Sequence, residues 1–383
     1  MKRVLIVQPS LQPPGGSNAV ASWMVQALAP VHRVSVLTWT PVDVRAINRF
    51  FGTALSPSDF TSLVVPRSWT FLPDHLPVPA HLIKMALLMR YARTVSDGFE
   101  VLIGVFNETD FGRRGIQYVH YPTYVRPRPK ADLRWYHPPQ LGLDAYYALA
   151  DRIAGFSMDR LRSNLTLVNS DWTGRHAGAF LGVDTTTVYP PVIDPAPPLG
   201  WHDRRHAFLA VGRISQEKDY ARTMRILARV RESVPNITLT IVGTSDRFTQ
   251  RHFEDLQQQA RSLGDWIDFR QDLSRDDVRR LMASYRYGLH AMREEHFGMA
   301  PAEMARAGMI VWVPNSGGQV EVVGHEPALT YETDDGAVTR ISAVLASADE
   351  QDRLRAHLER TAAQFSTRAF VDRIREIVDR FQA

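Results

Sequence analysis

Five prolines fall within the twelve residues Tyr189–Gly200. No helix interior and no central strand accommodates them, because each proline lacks an N–H and fixes φ. The segment 191–200 therefore reads as a linker. It cuts a chain of 383 residues into two parts, each long enough for its own core. The same pattern runs on both sides: short apolar runs alternate with amphipathic stretches, as in α/β units around parallel sheets.

Before the break, strands are expected at Arg3–Val7, Arg33–Leu37, Glu100–Val105, Ile116–His120 and Leu165–Asn169. Helices are expected at Ala19–Leu28, His81–Arg93, Asp144–Met158 and Trp172–Phe180. After it, strands are expected at Phe208–Val211, Ile237–Val242, 266–269, 286–290 and Met309–Val313. Helices are expected at Tyr220–Val230, 249–263, 275–284, after Pro301, and from about 335 onward. Phe370, Ile374, Ile377 and Phe381 recur at helical spacing near the end, an apolar face that must be buried. The expected architecture is two doubly wound, Rossmann-like domains, 1–190 and 201–365, facing a cleft, with helix 366–383 returning to the first. Ligands of such sheets bind beyond the carboxyl ends of the strands.

Charge is uneven. Residues 1–190 carry 19 basic against 13 acidic side chains, and the remainder 26 against 28. A net +6 on the first half suits an anionic partner such as a membrane surface. Nucleic acid is disfavoured, since no helix-turn-helix, zinc or RNA-binding signature accompanies the charge. Cysteine is absent, which excludes disulfides and thiolate metal sites. No apolar run approaches the roughly 18 residues of a membrane span, and no export signal is read, so a cytoplasmic location is expected. With no H-x-x-x-H and no D-x-D, no metal is expected.

The chemistry concentrates in Arg293-Glu294-Glu295-His296-Phe297-Gly298-Met299-Ala300-Pro301-Ala302-Glu303. A helix starting near Ala300, with Pro301 at its first position and Gly308 at its stop, aims the N–H groups of Gly298, Met299 and Ala300 at an anion. Glu295 and Glu303 flank that point. Carboxylates repel a phosphate but accept from hydroxyls, and a nucleotide sugar has hydroxyls at both ends. Arg213 and Lys218, after the first strand of the second domain, can clamp a diphosphate and stabilise it as a leaving group. Gly15-Gly16, between the first strand and first helix, lets backbone amides approach an anion. It is neither G-x-G-x-x-G nor a Walker loop.

Together these motifs resemble the retaining glycosyltransferases of family 4, which have the GT-B fold. Glu295 and Glu303 match the family's E-x7-E. Gly212-Arg213 with Glu217-Lys218 resembles its phosphate clamp, and Gly15-Gly16 its first loop. Gly308-Met309-Ile310-Val311 and Ser316-Gly317-Gly318-Gln319-Val320-Glu321 are similar to two further family motifs. Met309, Met292 and Asp219 depart from the pattern; the last replaces a glycine beside Lys218. Gln117–Thr123 and Glu295–Gly298 look most like α-1,2-mannosyltransferases that extend lipid-linked oligosaccharides.

The resemblance implies a metal-independent hexosyl transfer from a nucleoside diphosphate sugar, GDP-mannose favoured, to a hydroxyl of a glycan or lipid-linked acceptor, with no cofactor. Glu303 would accept from ribose hydroxyls, Glu295 and His120 would meet the hexose, and Arg213, Lys218 and the helix amides the diphosphate. In such folds the base is read by backbone around Val242–Thr244 and Arg270–Leu273. Two alternatives stay open: an epimerase or phosphorylase on the same scaffold, and a non-catalytic nucleotide-sugar sensor. The basic loop Val125–Lys130 is a candidate for an anionic acceptor and the helix from Leu82 to Arg93 for a membrane surface, although apolar residues all round that helix favour a core element.

Overall fold

The computed structural model describes residues 1–74, 81–122, 140–197, 199–246 and 249–382. The loop Val125–Lys130 lies outside them. The chain forms two compact units, Met1–Pro191 with Phe370–Ala383, and Val192–Ala369.

The first unit runs β1 (Arg3–Val7), α1 (Gly16–Leu28), β2 (Arg33–Thr38), α2 (Val44–Phe51), β3 (Phe60–Val64), α3 (Arg67–Asp74), α4 (His81–Val95), β4 (Val101–Gly104), β5 (Ile116–Val119), α5 (Gln140–Ala154), α6 (Met158–Arg162), β6 (Leu165–Val168), α7 (Asp171–Leu181) and β7 (Thr185–Thr187). Among the described residues its strands form one seven-stranded parallel sheet, in the order β3-β2-β1-β4-β5-β6-β7. Val4 to Val7 are fully buried, as a central parallel strand covered on both faces requires. The helix expected over Asp144–Met158 is two helices. Gly155 turns the chain at φ +56°, and the Ser157 hydroxyl then caps α6 by accepting from the Arg160 N–H. The helix α4 is a core element: Leu82, Ala86, Leu88, Met89 and Ala92 are buried in two apolar clusters. Lys84 lies over the Trp39 ring, and Arg93 pairs with the buried Asp110.

The second unit runs β8 (Arg205–Val211), α8 (Tyr220–Val230), β9 (Leu239–Gly243), α9 (Gln250–Leu263), β10 (Ile267–Gln271), α10 (Arg275–Ser284), β11 (Tyr285–Leu289), α11 (Met299–Arg306), β12 (Ile310–Pro314), α12 (Gln319–Val322), β13 (Thr330–Tyr331), α13 (Asp334–Leu345) and α14 (Ala348–Ala362). Among the described residues its strands form a six-stranded parallel sheet ordered β10-β9-β8-β11-β12-β13. Strand order therefore reverses between β8 and β11, the point at which doubly wound sheets take ligands.

One departure concerns the linker, while the last helix packs where it was expected. The proline-rich segment is not a free tether: Val192 is buried and donates its N–H to Phe365 O at 2.9 Å. Arg279 donates to Asp194 O at 3.1 and 2.8 Å, and Arg306 pairs with the Asp194 carboxylate at 2.5 Å. An extended proline-rich chain makes no internal hydrogen bonds, so its carbonyls are open to Arg279. The last helix, α15 (Thr367–Arg380), places Phe370, Ile374, Ile377, Val378 and Phe381 in the core of the first unit, with Val4, Ile6 and Leu28. Among the described residues no helix is long and apolar enough to cross a membrane.

Candidate active site

The loops after β8 and β11 carry most of the expected residues of the second unit. After β8, Gly212 has φ +154°, and a Cβ there would stand 3.0 Å from the Tyr220 hydroxyl and 3.6 Å from the Lys218 side chain. A single turn, Gln216–Lys218, follows. Asp219, in the position of the expected glycine, takes the left-handed conformation itself (φ +48°), which aspartate tolerates better than most residues. Its carboxylate then accepts from the Arg222 N–H at 3.1 Å and caps α8. The substitution thus keeps the turn that presents Lys218.

After β11 the chain is held from the side by the loop between β12 and α12 and by the first residue of α12. Gln319 donates to Met292 O at 2.8 Å and to Ser316 O at 2.9 Å. The Glu294 N–H donates to the Ser316 hydroxyl at 3.1 Å, and the Gly318 N–H to Glu295 O at 2.8 Å. Gly317, at φ +81°, touches the Glu295 backbone so closely that a Cβ would stand 2.7 Å from its nitrogen. Met292, where the family that the chain resembles has a serine, contributes its carbonyl to Gln319 through the backbone.

Glu295 and Glu303 each meet a cation. The Lys218 ammonium donates to Glu295 Oε2 at 2.5 Å, and His290 Nε2 donates to the same oxygen at 3.3 Å. Burial pushes the Glu295 carboxyl up, but the His290 hydrogen bond and the Lys218 charge outweigh it and hold the group well below the usual carboxylate range. His290, at the carboxyl end of β11, is lowered by burial and by Lys218, against the pull of Glu295. Its ring is neutral at pH 7. Glu303 is paired with Arg275, the first residue of α10. Arg213 is exposed, with a long ion pair to Glu217 at 3.6 Å.

The helix α11 begins at Met299, one residue earlier than expected, after Gly298 at φ +100°. Pro301 is its third residue rather than its first, which costs nothing because first-turn N–H groups have no intrahelical partner. Glu303 is then the fifth residue, on the second turn. Gly308 stops the helix at φ +77°. Met299 and Ala300 lie in the first turn, with amides at the positive end. Phe297 is buried with its ring against Phe365 at 5.5 Å, so what it can offer a donor is backbone.

Leu273 lies in the loop between β10 and α10, directly before the Ser274 cap. Gly16 and His120 belong to the first unit. Gly16 opens α1 after Gly15 (φ +143°). His120 follows β5; its Nε2–H donates to Val105 O at 2.9 Å, and its N–H donates to Asn107 Oδ1 at 2.8 Å.

Sequence reasoning missed His290, Arg275 and Tyr220. The Tyr220 hydroxyl is buried without a hydrogen-bond partner, and burial with Glu295 and Glu217 nearby pushes its pKa up, so it stays a donor. Ser215 Oγ and Gln319 Oε1 are also buried without a partner. Such groups are rare in a finished core, and these three stand on the elements that follow β8 and β12.

Residues 196–365 match the family described as Glycosyl transferases group 1. The chain is 32% identical over 184 residues to the GDP-Man:Man(3)GlcNAc(2)-PP-Dol alpha-1,2-mannosyltransferase of Dictyostelium discoideum, covering 43% of this chain and 36% of that protein. It is 27% identical over 229 residues to the human protein of the same name, 54% of this chain and 46% of that one. The chain thus spans less than half the length of these relatives. Among solved structures, HepE of Anabaena in complex with UDP and glucose aligns over 100% of both chains with a TM-score of 0.68 at 17% identity. WaaG, a glycosyltransferase involved in lipopolysaccharide biosynthesis, aligns over 99% of this chain and 100% of its own with a TM-score of 0.68 at 16% identity. The fold is that of the GT-B glycosyltransferases, and the chain resembles the alpha-1,2-mannosyltransferases among them.

Proposed function

We propose that this chain is a retaining, metal-independent glycosyltransferase of family 4 that moves mannose from GDP-mannose to a hydroxyl of a lipid-linked or other glycan. The observation that carries this reading is the pair of carboxylates, Glu295 and Glu303, each held by a cation at the carboxyl ends of strands beside the amino end of α11. Two carboxylates suit hydroxyls, whereas the helix amides, Arg213 and Lys218 suit a diphosphate. The family match and the mannosyltransferase relatives support the same assignment.

In this reading Glu303 accepts from the ribose hydroxyls and Glu295 from the hexose. Arg213, Lys218 and the amides of Gly298, Met299 and Ala300 take up the charge that develops on the leaving diphosphate. Gly16 supplies an amide, His120 a contact to the hexose, and backbone at Leu273 a contact to the base. A leaving phosphate oxygen takes the acceptor proton, so the anomeric configuration is retained without a protein nucleophile. The basic residues of 1–190 favour a peripheral contact with an anionic leaflet on the cytoplasmic side, each contributing on the order of 1 kcal/mol near the surface.

The test is a thermal-shift panel of GDP, UDP, ADP and dTDP, followed by transfer from radiolabelled GDP-mannose with and without EDTA. A shift with GDP, EDTA-resistant transfer and an α product are expected, with turnover falling by orders of magnitude in Lys218→Ala. A shift with UDP and none with GDP overturns the donor. Sugar conversion without acceptor points to an epimerase, and binding without diphosphate release to a sensor. Flotation with anionic and neutral liposomes tests the membrane contact; equal binding to both overturns it.

A further inference from the structure

The Lys218 ammonium and the His290 imidazole share one oxygen of Glu295, at 2.5 and 3.3 Å. One full positive charge is enough to compensate that carboxylate, and the ammonium supplies it. His290 therefore stands as a second partner that is neutral while Lys218 is present. Its backbone is fixed: its N–H donates to Trp312 O at 2.9 Å, and its carbonyl accepts from the Tyr331 hydroxyl at 2.5 Å.

If Lys218 meets the diphosphate of the donor, as proposed above, it cannot also remain the closest partner of Glu295. A carboxylate only 18% exposed is costly to leave without a cation. We propose that His290 is the positioning residue that covers this exchange: it takes up a proton as Lys218 turns to the diphosphate, and the imidazolium then holds Glu295 in place. The inference rests on the donor-site reading.

The proton balance is simple. Nε2 already carries the hydrogen that Glu295 accepts, so the incoming proton binds Nδ1 and is drawn from bulk water. The charged groups that bear on the ring are Glu295 on its own loop and Lys218 on the loop after β8. Arg222, on α8, approaches the next residue, with Nη1 3.5 Å from Ala291 O. Tyr220, also on α8, is buried and stays neutral, as does Tyr331 on β13. Withdrawing Lys218 removes a positive charge that disfavours imidazolium and leaves the negative charge that favours it. Both changes act in the direction of protonation.

The experiment is titration calorimetry of the full chain with GDP, and with UDP, ADP and dTDP in parallel, at pH 7 in buffers of different ionisation enthalpy. Wild type, His290→Gln and Lys218→Ala are compared. Glutamine keeps a donor for Glu295 but cannot take up a proton. The nucleotide's own titration is common to all three, so the difference between wild type and His290→Gln is the measure. Wild type is expected to take up about half to one proton more per nucleotide than His290→Gln. Lys218→Ala is expected to resemble His290→Gln, because its His290 is already charged. Equal proton counts in wild type and His290→Gln overturn the inference and leave the donor site standing. Binding of none of the four nucleotides to wild type overturns the donor-site reading and this inference with it. Should His290→Gln not fold, NMR of carbon-13-labelled histidine in wild type decides: the His290 ring is expected to become imidazolium on adding nucleotide, and a ring that stays neutral overturns the inference.

Discussion

Arg275, the first residue of α10, forms an ion pair with Glu303, the fifth residue of α11. The carboxylate is 10% exposed and the guanidinium 24%, so each is the other's main compensation. Arg275→Ala leaves Glu303 without a cation, at a stability cost of up to about 3 kcal/mol. It also frees the carboxylate to turn, so the KM for the donor is expected to rise roughly tenfold with a smaller change in kcat. Arg275→Met with Glu303→Gln should recover most of the melting temperature but not the donor affinity. A double variant as unstable as Arg275→Ala alone counts against this account.

Gly317 gives a second prediction. Its φ of +81° and its contact with the Glu295 backbone mean that any side chain moves the segment that carries Glu295. Displacements of about 1 Å at a reacting group cost on the order of 100-fold in rate. Gly317→Ala is therefore expected to lower kcat/KM by about that factor while the protein stays folded. Gly98→Ala, where a Cβ meets nothing within 4 Å, should leave activity unchanged. Equal kinetics for the two variants refute the role given to Gly317.

What could be read beforehand follows a physical line. Central strands such as β1 and β8 are buried on both faces and announce themselves as apolar runs. The two edge strands of the first sheet do not: β7 is Thr185-Thr186-Thr187, and β3 has only Phe60 buried. Spacing along the chain located Glu295, Glu303 and Lys218, because their motifs are local. It could not reveal that Lys218 reaches Glu295, or that Arg275 reaches Glu303, since those pairs form between elements that only the sheet order brings together. His290 had a readable signal, its place at the carboxyl end of an expected strand. Asp219 departs from the expected glycine of the Lys218 loop and proves to be its turn and its helix cap in one residue.

The final helix makes the stability of the first unit depend on the end of the chain. Phe370, Ile374, Ile377, Val378 and Phe381 are buried there, each contributing about 1.5–3 kcal/mol. The Lys2 ammonium donates to the carbonyls of Val378, Asp379 and Phe381 at 2.8, 3.0 and 2.9 Å, at the negative end of that helix. Deleting 370–383 is expected to unfold the first unit, seen as rapid proteolysis within 1–191 while 192–369 resists. Lys2→Met should lower the same transition by about 1–2 kcal/mol. Protease cutting the second unit first would contradict the assignment.

The last prediction concerns His32. Its Nδ1 accepts from the Lys2 N–H at 3.3 Å, so the ring hydrogen is on Nε2, facing Asp379 at 3.3 Å. Burial lowers its pKa, Asp379 raises it, and Lys2 and the amino terminus lower it; the net shift is downward. In the unfolded chain the imidazole titrates near 6.5. Below that pH the unfolded state binds more protons than the folded one, so stability falls as pH falls. The loss starts near pH 6.5 and ends once the pH is below the folded value; above 6.5 there is none. The slope is at most about 1.4 kcal/mol per pH unit for one proton. His32→Gln removes the titration, so between pH 7 and 5 its first-unit transition should fall less than that of wild type. Melts followed by proteolysis within 1–191 at each pH separate this from the second unit, where His206 and His290 are also lowered. An identical pH slope for wild type and His32→Gln would show that the ring is not the group that titrates.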